Sequence, residues 1–211
     1  MIEVDEQIAA VRRRVQERDG ARTLTIEQEL PAGAADLWDA LTSAERLPRW
    51  FLPVQGDLRA GGRYALEGNA SGTIESCDPG RSFAATWEFG GDTTRMAVRV
   101  EPAGDDRARL TLEHEAPADA PAWEEYGPGA TGIGWDLSLI GLALHLGSRG
   151  AFDPDEGTTW AGEDDGERFV VLSGEAWRDA HVASGADPGA ARAAAERTIA
   201  AYVGSGEDEP G

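Results

Sequence analysis

Three histidines, one cysteine and a glycine-rich hexapeptide are the parts of this 211-residue chain whose types and spacing could do chemistry. His114, His145 and His181 stand far apart, and none has a second His or Cys at the spacing of a metal cage, so no metal is expected. Glu113-His114-Glu115 closes an alternating apolar segment, with Pro117 close behind, and so cannot belong to a zinc-protease helix. His114 shares the phase of Leu110 and Leu112, which points its imidazole inward. Two roles follow: a hydrogen-bonded core or pocket-rim group, or a polar contact or general acid/base facing a ligand. Cys77 is the only cysteine, which excludes an intramolecular disulfide, and the absence of lysine excludes Schiff-base catalysis.

Gly127-Pro128-Gly129-Ala130-Thr131-Gly132 satisfies the spacing of a dinucleotide-binding loop, and Asp153 falls about 20 residues further on. Residues 117–126, however, cannot form the buried parallel strand that must lead into such a loop, and no alternation of strands and helices surrounds it. The hexapeptide reads as a flexible loop leading into a helix, and no cofactor is expected. The acidic stretches Asp153 to Glu156 and Glu163 to Glu167 lack the calcium-loop pattern and read as solvated loops.

The elements that must position these residues follow from periodicity. Residues 5–18 place Ile8, Val11 and Val15 at helical spacing, with Arg12, Arg13, Arg14 and Glu17 on the remaining arc, which predicts an amphipathic helix. Residues 22–30 alternate as a half-buried strand, and 34–46 form a helix with Leu37, Trp38 and Leu41 on its apolar side. Five short segments of period two follow (63–68, 72–77, 82–89, 94–101, 107–114), separated by turn residues as in an antiparallel meander. Residues 133–146 form a helix that is apolar around most of its circumference, so it must be covered on two sides. The second cover is expected from residues 169–203, where Phe169 to Leu172, Trp177, Ile199 and Tyr202 supply apolar groups and Asp187-Pro188 opens a helix. A homodimer using the same helix face is the rival cover. The expected organisation is an N-terminal helix (1–21), a core domain (22–147), a helical extension packed on the core (148–205) and a disordered acidic tail (206–211).

Composition bounds the partners. Nineteen basic residues against 39 acidic ones give a formal charge of −20, which repels a phosphate backbone and excludes nucleic acid. No stretch approaches the ~20 apolar residues of a membrane span, and the charged start has no signal-peptide run, so a cytoplasmic protein without membrane attachment is expected.

Four quoted stretches carry a family resemblance: "AADLWDALTSAERLPRWFLP" (34–53), "LRAGGRYALEGNASGTIESCDPGRSFAATWEF" (58–89), "RLTLEHEA" (109–116) and "GIGWDLSLIGLALHL" (132–146). They resemble the START-like SRPBCC superfamily, in the branch named after the activator of the heat-shock-protein-90 ATPase. The resemblance implies an α+β helix-grip fold, a curved antiparallel sheet around a long C-terminal helix, with a cavity between the two that relatives use for lipids, hormones, polyketides or aromatic ring systems. Residues expected to line it, from their inward phases or their place beside the helix start, are Trp50, Phe51, Tyr64, Trp87, Phe89, Met96, His114, Trp135 and Leu139. Such cavities run about 300 to 1,000 Å³. The leading functional expectation is binding of an apolar or aromatic small molecule without covalent chemistry. The alternatives are a polyketide cyclase or aromatase-like enzyme using His114, with Tyr64 or Arg95 as neighbours, and a co-chaperone-like protein-interaction module.

Overall fold

A computed structural model describes residues 3–147 and 164–204 of the chain. Asp153 to Glu156, the start of the second acidic stretch and the tail 206–211 lie outside the described residues. Eight strands form one antiparallel sheet: β1 (Val11–Arg18), β2 (Ala21–Leu30), β3 (Val54–Gly56), β4 (Arg63–Leu66), β5 (Ser71–Asp78), β6 (Ser82–Phe89), β7 (Asp92–Pro102) and β8 (Ala108–Pro117). Their order across the sheet is β1-β2-β8-β7-β6-β5-β4-β3. The long strands read as alternation requires: Leu24, Ile26, Gln28 and Leu30 of β2 and Ala108, Leu110, Leu112 and His114 of β8 are buried on the inner face. Register fixes their neighbours, pairing Leu24 with His114, Ile26 with Leu112 and Met96 with His114. A bulge between Ile74 and Ser76 breaks the β5–β6 ladder, the device by which a sheet acquires local twist and bend.

The N-terminal segment differs from its sequence reading. Only Val4–Ala10 is helical (α1), and Val11–Arg18 is the edge strand β1, paired with β2 over its whole length. Val11 and Val15 are four residues apart, a spacing that places them on one side of a helix and equally on one side of a strand. The strand adds Arg13 to the inward face, where a helix would have left it in solvent. What holds it there is a buried acceptor on the central helix.

That central helix, α4 (Gly129–Gly147), begins four residues before the expected start because the hexapeptide is the head of the helix rather than a loop. A Cβ at Gly132 would run into the indole of Trp177, and one at Gly129 would lie 3.2 Å from Thr198 Cγ2. The glycines therefore serve close packing by two following helices, α5 (Asp164–Ala183) and α6 (Pro188–Gly204), and tertiary contact overrides their poor helix propensity. Asp164, Asp165 and Glu167, read as part of a loop, occupy the first turn of α5, where the helix dipole favours acids. A short helix α3 (Pro121–Tyr126), also read as loop, precedes α4.

On the rear of α4 sits Asp136, with 0 % of its surface exposed. Its Oδ2 accepts from Arg13 Nε at 2.8 Å, Ser173 Oγ at 2.5 Å and Trp177 Nε1 at 3.0 Å, joining β1, α4 and α5 at one atom. Burial pushes the Asp136 carboxyl up, while Arg13 and the two neutral donors pull the other way. Arg13 Nη1 also donates to the carbonyls of Ile8 and Val11, which secures the turn from α1 into β1. Around this polar point the second side of α4 is apolar: Val4, Ile140 and Phe169 form one buried cluster, and Trp177 and Val170 join the main core.

Breaking the pair is therefore expected to leave a buried charge unopposed. Arg13→Met and Asp136→Leu should each cost about 3–5 kcal/mol in urea unfolding, whereas the double substitution should cost clearly less than the sum. Additive losses would show that the two side chains do not act as a unit.

Candidate ligand cavity

Between the inner face of the sheet and the front of α4 lies a cavity of about 280 Å³, close to the lower end of the expected range. Its helix wall is Trp135, Ser138, Leu139 and Leu142, spaced i, i+3, i+4 and i+7 so that they form one stripe of α4. The sheet supplies Tyr64, Ile74, Phe83, Ala85, Trp87, Met96 and Leu112, among others, all on inward phases. The third wall comes from α2 (Ala34–Thr42) and the single 3₁₀ turn Leu47–Arg49 with the residues after it: Trp38, Leu41, Thr42, Leu47, Trp50 and Phe51. Leu58, Cys77 and Pro79 stand at the open side, exposed to solvent.

Aromatic rings organise the interior. Trp50 stacks on Phe51 with centroids 5.5 Å apart, Phe51 on Trp135 at 6.3 Å, and Trp135 meets Trp87 at 5.1 Å, so four rings run in unbroken contact along one side. Opposite, Trp38 packs edge-on against Phe83 at 6.2 Å. The α2 wall is pinned to the end of α4 by Arg46, whose Nη1 donates to Asp36 at 2.6 Å and Asp39 at 3.0 Å while Nε and Nη2 donate to His145 Nε2 at 3.3 and 3.1 Å. Burial, then Arg46 and Arg49, hold the His145 imidazole below its usual range, consistent with a neutral ring that accepts from Arg46.

Seven of the nine expected residues meet at this cavity: Trp50, Phe51, Tyr64, Trp87, Met96, Trp135 and Leu139. Phe89 does not. It continues the inward phase of β6 but sits at the tip of the β6–β7 hairpin, beyond the reach of α4, and 57 % of its surface is exposed. His114 is inward and 5 % exposed, yet it lies behind Trp87 and Trp135 rather than on the cavity wall. Trp135 Nε1 donates to His114 Nδ1 at 3.1 Å, so the ring proton belongs on Nε2. Nε2 then donates to Thr94 Oγ1 at 2.8 Å, and Thr94 donates to the carbonyl of Trp87 at 3.3 Å. Every proton of this chain is committed, and burial lowers the His114 pKa to about 4. In this arrangement both ring nitrogens are occupied, and the imidazole links two cavity tryptophans.

The neighbours suggested for such a role are also placed elsewhere. Tyr64 donates its hydroxyl to the Thr86 carbonyl at 2.7 Å, and burial pushes its pKa up to about 12. Arg95 pairs with Glu75 at 2.5 Å on the outer face of the sheet. Conversely, the sequence reading missed Ser138, Thr42 and Cys77. Ser138 was within reach, because Trp135 and Leu139 bracket it on the same helical stripe; Cys77 was not, because its place at the rim depends on the β5 bulge.

A curved antiparallel sheet wrapped around one long helix, with an apolar cavity between them, defines a helix-grip protein. The family model described as "Activator of Hsp90 ATPase homolog 1-like protein" matches residues 31–147, and the chain belongs to that family of the SRPBCC superfamily. Among solved structures it is similar to CalU16 from Micromonospora echinospora. The crystal structure of that protein is 31% identical, with 81% of this chain and 98% of that chain covered at a TM-score of 0.66. Its solution structure is 30% identical, covering 83% and 97%, at 0.70. A conserved protein of unknown function, EF2215 from Enterococcus faecalis, shares the fold at 14% identity, covering 74% and 91%, with a TM-score of 0.55. No curated protein matches the chain. Among the described residues, no helix is long and apolar enough to cross a membrane.

The His114 strut gives a pH signature. Its folded pKa of about 4 lies below the ordinary 6.5, so its stabilising contribution is complete above pH 6.5 and is lost as pH falls toward 4. The loss should reach roughly 3 kcal/mol at most. Urea unfolding of wild type and His114→Gln at pH 7 and pH 4.5 isolates it from the carboxylates: the variant should be less stable at pH 7, and the gap should narrow sharply at pH 4.5. A gap independent of pH would show that the imidazole is not buried neutral.

Proposed function

We propose that the protein binds an uncharged, compact, largely apolar ring compound in the cavity between sheet and α4, and performs no covalent chemistry on it. One observation carries this reading: among the described residues, none that lines the cavity is Asp, Glu, Arg or His, and seven aromatic rings stand among aliphatic side chains on its wall. A ligand carboxylate or ammonium would lose its hydration there without gaining a counter-charge, which costs several kcal/mol. The overall charge of −20 disfavours anions further. Membership of the family supports small-molecule binding, and the hydrogen bonds at both His114 nitrogens favour this reading over a cyclase-like one.

The test uses intrinsic fluorescence, because Trp38, Trp50, Trp87 and Trp135 all line the cavity. Titration with 2-fluoronaphthalene should quench saturably, and titration with 2-naphthoate should not. Ala85→Phe, which fills the cavity from the sheet side, should abolish quenching without lowering Tm. A bulky maleimide on Cys77, the exposed thiol at the open side, should slow association. Equal binding of naphthoate, or binding unaffected by Ala85→Phe, would remove the basis of the reading.

A further inference from the structure

The cavity wall carries few polar groups, and for its hydroxyls and two of its indoles the direction of the proton is fixed by what it bonds. Ser138 Oγ lies 2.9 Å from the Gly134 carbonyl, and Thr42 Oγ1 lies 2.8 Å from the Trp38 carbonyl. A carbonyl oxygen only accepts, so in each case the hydroxyl proton is spent on the backbone one helical turn back. The same holds for the Tyr64 hydroxyl, given to Thr86, and for the indole N–H groups of Trp50 and Trp135, given to the Ala40 carbonyl and to His114. Ser138 and Thr42 both line the cavity and are only half-buried. Each keeps acceptor capacity and has no proton to offer.

Resting on the cavity-binding reading above, we propose that Ser138 and Thr42 select ligands that donate a hydrogen bond, so that the natural ligand is a neutral ring compound bearing a phenolic or alcoholic hydroxyl. Position 138 supports this by its setting. It lies one turn from both Trp135 and Leu142 on the cavity stripe, so a ring lodged against that stripe comes within reach of Ser138. A ketone or ether at that edge would face a lone pair and be repelled, and a bare hydrocarbon would leave the oxygen dry and unpaired.

Three probes of one skeleton separate the possibilities: 2-naphthol donates, 2-fluoronaphthalene does not, and 2-acetylnaphthalene only accepts. Wild type should bind 2-naphthol roughly three- to tenfold more tightly than 2-fluoronaphthalene, the worth of one neutral hydrogen bond. In Ser138→Ala/Thr42→Val the preference should fall to near unity with 2-fluoronaphthalene affinity preserved. Alanine favours a helix, so Ser138→Ala alone keeps the test readable should the pair fold poorly. A preference that survives both substitutions overturns the proposal. So does tighter binding of 2-acetylnaphthalene than of 2-naphthol, which would assign recognition to other donors such as the indoles of Trp38 and Trp87. If 2-fluoronaphthalene binds with no naphthol preference, only this proposal falls; if none of the three binds, the cavity reading falls with it.

Discussion

A single oxygen, Asp136 Oδ2, holds together three parts of the chain that are far apart in sequence: Arg13 is 123 positions away, Ser173 37 and Trp177 41. Moving a carboxylate and a guanidinium out of water costs several kcal/mol for each, and a hydrophobic pair of the same volume could match the net stability. What apolar residues could not supply is uniqueness of arrangement. If β1 slipped by one residue against β2, Arg13 would turn to the outer face and leave Asp136 unpaired, so the pair fixes the register of an edge strand. If α5 rotated on α4, Ser173 and Trp177 would leave the carboxylate together. The polar point thereby sets where α4 lies, and the position of α4 sets the cavity.

The front of the helix obeys a different rule. There a chain of hydrogen bonds orients rings: Trp135 to His114, His114 to Thr94, and Thr94 to the Trp87 carbonyl. This chain ties the helix wall to strands β6, β7 and β8 and holds the two tryptophans with their centroids 5.1 Å apart. Preorganised walls of this kind spare a ligand the cost of ordering side chains on binding. The Arg46 cluster does the same for the α2 wall, anchoring it to the last turn of α4 through His145.

How much of this was legible in the sequence depended on whether a residue's place follows from period alone. The meander, the central helix and seven of the cavity residues did follow, because alternation in β6, β7 and β8 and the all-round apolarity of α4 leave one arrangement that buries them. Phe89 shows the limit: phase says which face a side chain takes, while coverage depends on how far the opposing helix extends. β1 shows a second limit, since a four-residue spacing of valines serves helix and strand alike, and only the tertiary partner of Arg13 decides between them. The glycines at 129 and 132 show a third. Their local preference argues for a loop, but the indole of Trp177 and the Thr198 side chain, far along the chain, need bare backbone there. The proton commitments of His114 are invisible in sequence, because they are set by distances of about 3 Å between separate elements, and those of Ser138 and Thr42 depend on the rotamer each adopts within its own helix.

The two sides of α4 are chemically independent, and this bears on how such a protein can change over generations. Residues that anchor the helix, Asp136 with Arg13, Ser173 and Trp177, do not appear on the cavity wall, and the wall residues 135, 138, 139 and 142 make no bond to that anchor. Substitutions couple least where the side chains share no partner. The wall can thus drift, exchanging one ring or hydroxyl for another, while the scaffold that keeps the drifting variants folded is held from behind. A helix seated in this way is an evolvable surface, with its cavity-facing character carried by a handful of positions and its heritable architecture by another.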